Sequence, residues 1–216
     1  METKTEIAIR GVFSKSHEFE VLMDSGRCTV YEIQQWVRNR YAFQKAMVQK
    51  DLIVMYKCNS VEFRRTWIKR IIEADEPGGG LDSWVQLGIA CGIDVHDQSL
   101  VYQETLDAIH TFLEWCHKSD WKIIVASSLS QLNAVKNHQN KLNTWYQLYP
   151  WIEPNGLKYF LLRLGQVSTD SKECLKFIEN TQLPEDQLRE ATSVKRQLMK
   201  SILDGLYKHT SSLVPI

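Results

Sequence analysis

Proline and glycine are sparse in this chain, 5 and 10 of 216 residues. So few breakers, with almost no stretch where apolar and polar residues alternate, argue against a protein of short strands and tight turns. Net charge is also missing: 26 lysines and arginines offset 26 aspartates and glutamates. No field is left to draw nucleic acid or an anionic membrane surface, and pairs such as Arg64-Arg65 are too short to create one. The cysteines Cys28, Cys58, Cys91, Cys116 and Cys174 are odd in number, far apart and without a Cys-x-x-Cys pair. That spacing excludes a disulfide framework or a structural zinc site and implies reduced thiols. No apolar run approaches the roughly 20 residues of a membrane helix. The opening METKTEIAIRG lacks the apolar core of a secretory signal. A cytoplasmic chain with neither nucleic-acid nor membrane partner is expected.

What the chain has is helical periodicity, nearly throughout, in an ordinary globular composition of 44% hydrophobic and 24% charged residues. Residues 1–24 read as a lead-in, irregular or helical, closing at Asp24-Ser25-Gly26. Thr29-x-x-Glu32 is a capping box that opens a first long helix, expected to run to about Val48. Ser60 caps a second helix over 61–75. Pro77 to Gly80 break the chain before a short helix over 81–91. Further helices are expected over 100–117, over 120–146 with Pro150 and Pro154 closing it, and over 156–180 with Asn155 as cap. Pro184 opens the last, and 209–216 reads as a loose tail. The expected architecture is all-α, a single-domain seven-helix bundle spanning 1–216.

Several of these helices carry polar groups on faces that are otherwise apolar. In the first, Trp36, Arg40, Phe43, Gln44 and Met47 share one side by their three- and four-residue spacing. Arg70 lies on the buried face of the second helix. Gln131, His138 and Lys141 share a side of the fifth, Tyr159 and Arg163 are one turn apart on the sixth, and Lys195 interrupts the stripe of the seventh. A buried cation costs several kcal/mol unless paired. Each could be a core ion pair, with Asp51 and Glu73 as the obvious carboxylates. Four inward cations on four helices (Arg40, Arg70, Arg163, Lys195) favour instead one cavity for a small polycarboxylate, because guanidinium forks match carboxylates. His17 and His138 have no Glu-x-x-His companion of the kind di-iron helices use, so no metal ligands are assigned. Cys58 and Cys91 lack a neighbouring acid and read as inert buried thiols.

The segments WVRNRYAFQKAMVQKD, RRTWIKRI, Gly79–Trp84 with Leu87-Gly88, YPWIEPNGLKYFLLRLGQ and KRQLMKSILDGL resemble the PqqC family, from about residue 17 to 206. These are the pyrroloquinoline quinone synthases of the TenA/PqqC group. The resemblance implies a haem-oxygenase-like helical fold and a homodimer. It implies a reaction with molecular oxygen as co-substrate, no metal and no organic cofactor, on a small anionic or quinonoid substrate. Residue by residue it implies substrate binding by Arg40, Gln44, Lys50, Arg70, Tyr159, Arg163 and Lys195 and places His138 near where oxygen is reduced. His138, Tyr159 and Arg163 are taken as the catalytic set, and Gln131 and Lys141, at positions where the family differs, are counted with the binding residues.

The departures from the family pattern are specific. A tyrosine followed by several histidines reads Phe13-Ser14-Lys15-Ser16-His17 here; a histidine is Ala74, a tyrosine Phe112, a glutamate Gln131 and an arginine Lys141. Mostly proton carriers are lost and anion binders kept. The expected function is a PqqC-like, metal-free, oxygen-dependent oxidase, at or near the last step of pyrroloquinoline quinone synthesis. Two alternatives stay open: a non-catalytic paralogue that binds a ligand or a protein, and a di-iron oxidase.

Overall fold

In a computed structural model, residues 16–211 are described. The calls on Phe13, Ser14 and Lys15 lie outside them. Nine α-helices occur among the described residues: α1 (Glu18–Asp24), α2 (Val30–Lys57), α3 (Val61–Asp75), α4 (Gly80–Ala90), α5 (Gln103–Lys118), α6 (Trp121–Ala126), α7 (Ala134–Leu148), α8 (Lys158–Thr181) and α9 (Glu185–Ser211). Short 3₁₀ segments lie at Gln98–Leu100, Ser127–Asn133 and Pro154–Leu157. Seven helices have 11 residues or more, and α1 and α6 have 7 and 6. The chain is therefore the all-α, seven-helix bundle expected, with two short helical pieces added.

The first two caps behave as the sequence implies, whereas Asn155, expected to cap the sixth helix, lies inside the 3₁₀ turn Pro154–Leu157, and α8 starts at Lys158 after Leu157 with no side-chain cap. Thr29 Oγ1 accepts from the Glu32 amide while the Glu32 carboxylate accepts from the Thr29 amide at 2.7 Å. Ser60 Oγ accepts from the Phe63 amide at the start of α3. The lead-in carries a capping box of its own, His17 with Glu20, so 18–24 is helix.

Three expectations need correcting. The helix expected to end near Val48 continues to Lys57. Gln49-Lys50-Asp51 look like a polar exit, yet Lys50 and Asp51 are buried, and no glycine or proline stops the helix before Cys58. The helix expected over 120–146 is broken by 3₁₀ turns at Ser127–Asn133. Ser127 and Ser130 donate their hydroxyls to the carbonyls of Ile124 and Ser127, three residues back, a competition that disturbs regular helix. Residues 209–211, expected loose, belong to α9; 212–216 fall outside the described residues.

Helix α2 packs on α3, α4, α5, α6 and α9, which makes it the axis of the bundle. Trp36 on α2 lies 5.4 Å from both Trp84 and Trp145, ring centre to ring centre, and the Trp84 indole donates to the Val37 carbonyl at 2.9 Å. All five cysteines are buried and free. Helix α8 packs on α7 and α4, α9 packs on α5, and both rest on the Ser127–Asn133 segment. The turn Pro154–Leu157 seats against α4 because Gly156 has no Cβ to meet Ala90 and the backbone of Leu87. The space that α8 and α9 leave facing α2 is the cavity.

Candidate functional site

The cavity has two lobes, one of about 290 Å³ and one of about 120 Å³, meeting at Arg40, Gln44 and His138. Arg40, Gln44, Lys50, Arg70, Gln131, His138, Tyr159, Arg163 and Lys195 all line the smaller lobe, and Lys141 lines the larger. Ten side chains from five helices and one 3₁₀ segment thus converge. The cause is local: each sits at a core-facing position where the helix pattern calls for an apolar residue.

The cations fall into two electrostatic classes. Lys50 and Arg70 are paired. The Lys50 ammonium is 2.6 Å from one oxygen of Asp51, and the Arg70 guanidinium is 3.7 Å from the other and 3.0 Å from Asp170. Lys50 also donates to Ser128 Oγ at 2.6 Å and Arg70 to Gln131 Oε1 at 3.2 Å. Burial pulls the Arg70 guanidinium down, but Asp51 and Asp170 outweigh it and raise it. This buried four-charge network balances itself. Of the two carboxylates expected to do this, Asp51 takes part and Glu73 does not; burial and the nearby Asp170 push Glu73 above the usual carboxylate range.

Arg40 and Lys195 form the other class: among the described residues, neither has a carboxylate within ion-pair distance. Arg40 lies 4.0 Å over the Phe43 ring. Burial pulls it down, against weaker support from Tyr159 and Glu20, yet a guanidinium remains protonated. Lys195, 4% exposed, lies 2.6 Å from Met47 Sδ and 4.4 and 5.0 Å from the rings of Phe43 and Phe112. Lys141 is intermediate, 3.6 Å from the half-exposed Asp24 and 5.6 Å from the rings of Trp36 and Trp145. Arg163 donates to Gln166 at 2.8 Å, a neutral partner.

Two neutral proton-handling groups stand among these charges. Burial, then Arg163, Arg40 and Lys141, push His138 down to about 3, so it is an unprotonated imidazole at neutral pH. Its ring meets Tyr159 edge-on at 5.9 Å. Burial raises the Tyr159 phenol while Arg163 and Arg40 oppose it, and the net direction is upward. It therefore keeps its proton and accepts from the Gln44 amide at 2.9 Å. A guest in the seam would find fixed positive charge, one neutral base and one phenol donor.

Several lining groups were not singled out in the sequence. Asp170 lies seven residues after Arg163 on α8, two turns along the same face, a spacing that could have revealed it. Ser128 and Ser130 were hidden by the expectation of unbroken helix. His17, weighed in the sequence only as a metal ligand, lines the large lobe; its Nδ1 accepts from the Phe19 amide, so Nε2 carries the hydrogen and donates to Asp204 at 3.0 Å. Among the family departures, Ala74 lines the small lobe and Phe112 lies buried beneath Lys195. No three His, Cys, Asp or Glu side chains among the described residues are grouped to hold a metal ion. No helix among them is long and apolar enough to cross a membrane.

A family model described as TENA/THI-4/PQQC matches residues 4–203. Among individual proteins, the chain is 34% identical over 199 residues to a pyrroloquinoline-quinone synthase of Pseudomonas putida (strain W619), covering 88% of this chain and 79% of that one. To the enzyme of the same name from Pseudomonas syringae pv. tomato it is 36% identical with the same coverage. The Pseudomonas entomophila protein is 33% identical, with 95% and 86% covered. Among solved structures, a domain of unknown function with a heme oxygenase-like fold from Shewanella denitrificans superposes with a TM-score of 0.75 at 13% identity, over 96% of this chain and 90% of that one. A CADD-like protein of unknown function from Nostoc punctiforme gives 0.72 at 11%, over 98% and 97%. At such identities these two speak for a haem-oxygenase-like fold alone.

Proposed function

The chain belongs to the TENA/THI-4/PQQC family, and from that premise we propose that it is a PqqC-like oxidase that uses molecular oxygen, without metal or organic cofactor, on a small polycarboxylated or quinonoid substrate. Pyrroloquinoline quinone synthesis is the pathway its relatives' names support, and the resemblance to the PqqC family implies its last, ring-closing and oxidising step. The observation that carries this reading is the pairing pattern of the cavity. Arg70 and Lys50 are matched by Asp51 and Asp170, so the charge left for a guest is that of Arg40 and Arg163, with Lys141 at the larger lobe and the Lys195 amine as a further partner in the smaller one. Three or four charge-assisted contacts at about 1.5–3 kcal/mol each support micromolar binding after entropy losses.

In this reading Arg40 and Lys195 hold the guest's carboxylates and stabilise negative charge that develops on substrate or on reduced oxygen. His138, unprotonated, takes a proton from the substrate on a ring nitrogen, and Tyr159 donates its hydroxyl to a developing oxyanion. Each two-electron stage moves two electrons and two protons from substrate to oxygen and releases hydrogen peroxide.

Anaerobic titration with pyrroloquinoline quinone, followed by oxygen uptake with the ring-open precursor, tests this. Binding with peroxide release is the expected result. Binding without any oxygen uptake would establish the second reading, a ligand-binding paralogue, which Ala74 at a proton-carrier position of the cavity favours. Iron or manganese near one or two equivalents per chain, with activity lost on chelation, would overturn the metal-free reading.

A further inference from the structure

We propose that Lys195 reads the ligand's charge: its amine is neutral in the ligand-free protein and takes up a proton when an anionic guest enters, so that carboxylate binding consumes one proton. The inference rests on the anion-binding reading of the cavity and adds how that cavity selects.

The surroundings of Lys195 are what carry it. The side chain is 4% exposed, so water supplies little solvation to an ammonium. Its polar neighbour is a thioether, Met47 Sδ, and its other contacts are the faces of Phe43 and Phe112. Helix α2 turns two cations toward it, Lys50 and Arg40, and one carboxylate, Asp51. That carboxylate is already held by Lys50 and Arg70. Helix α5 offers only the buried Cys116 thiol, itself pushed up to about 11 by burial and so uncharged. The Ser127–Asn133 segment brings hydroxyls, and α6 brings apolar side chains, its Lys122 being exposed. On α1, Glu20 lines the far lobe and His17 is held by Asp204.

Burial first, then Lys50 and Arg40, hold Lys195 well below the ordinary lysine range, and Cys116 and Asp51 do not offset them. A carboxylate placed against Nζ supplies the missing counter-charge and returns the amine to its protonated form. Arginine cannot make this change, so Arg40 attracts any anion while Lys195 rewards only one that reaches the small lobe. Neutral analogues of the same shape gain nothing from it.

Two measurements test the proposal. In the free protein, lysine side-chain NMR with K195Q for assignment should show Lys195 titrating below the other lysines, and shifting to its charged form when pyrroloquinoline quinone is added anaerobically. Calorimetric titration with the same quinone at neutral pH, in phosphate and in Tris, reads proton uptake from the difference in apparent enthalpy. Uptake near one proton per ligand is expected in the parent protein and lost in K195Q and in K195M. An ordinary titration of Lys195 in the free protein, or uptake unchanged in both Lys195 variants, overturns the proposal while leaving the anion cavity standing. Failure of the quinone to bind the parent protein overturns the cavity reading and the proposal with it.

Discussion

The Gln44 side-chain amide donates to the Tyr159 hydroxyl across 2.9 Å, tying α2 to α8 over the seam of the cavity. Because the amide occupies an oxygen lone pair, the phenol hydrogen is left free to point at a guest. Both groups are neutral, so the contact orients without adding charge to a site already rich in it.

Tyr159→Phe is therefore expected to separate binding from chemistry. Removing a positioned proton donor should lower kcat about 100- to 10,000-fold, while affinity for pyrroloquinoline quinone changes by less than about tenfold, or ~1.4 kcal/mol. Oxygen-uptake rates beside anaerobic titrations check this. Equal losses in both would mean that Tyr159 serves binding alone.

Stability should divide along the pairing pattern. Asp51→Asn strips the shared carboxylate from Lys50 and Arg70 and should cost about 3–5 kcal/mol, as broken buried pairs do. In a chain of this size that lowers Tm by roughly 10 °C. Arg40→Met removes a partly buried cation with no carboxylate partner among the described residues; it should leave Tm unchanged or raise it, while quinone binding weakens at least about tenfold. Thermal melts of both variants suffice, and a large Tm loss in Arg40→Met would show that Arg40 has a structural partner.

His138 predicts a pH dependence of known sign. Its folded value of about 3 lies below the ordinary 6.5. Between those limits the unfolded chain binds the extra proton, so stability rises with pH across the window and is lost as pH falls through it. Urea unfolding as a function of pH should show that slope in the parent protein and a shallower one in His138→Gln. If the two slopes coincide, His138 titrates in the fold as it does in the unfolded chain, and burial and the neighbouring cations do not depress it.

Ala74 offers a gain-of-function test. It lines the small lobe where the family carries a histidine. If proton carriage limits turnover of the precursor, Ala74→His should raise oxygen uptake by about 100-fold or more with little change in anaerobic quinone affinity. An unchanged rate in a protein that still binds would place the limitation elsewhere.

What the chain determines by itself is local. Thr29 with Glu32, and Ser60 before Phe63, set helix starts because capping needs only the next three residues. The recurrence of Arg40, Arg70, Arg163 and Lys195 at core-facing positions gives a cation-rich interior, since periodicity depends on neighbours within two turns. Family motifs at the same positions name the family. The tertiary structure decided which of those charges are already spent. Asp170, remote in sequence, reaches Arg70 and with Asp51 closes a balanced network, while Arg40 and Lys195 have no carboxylate within ion-pair distance among the described residues. Partner choice between distant residues follows from how α2, α3, α8 and α9 pack, and no spacing rule within one helix contains it. The interruption at Ser127–Asn133 was hidden for a related reason: serines tolerate helix or 3₁₀ turns alike, and the packing of α8 and α9 on that segment favours the tighter form. Burial decided the rest, because the neutral state of His138 and the depressed basicity of Lys195 come from exclusion of water and from cations on other helices.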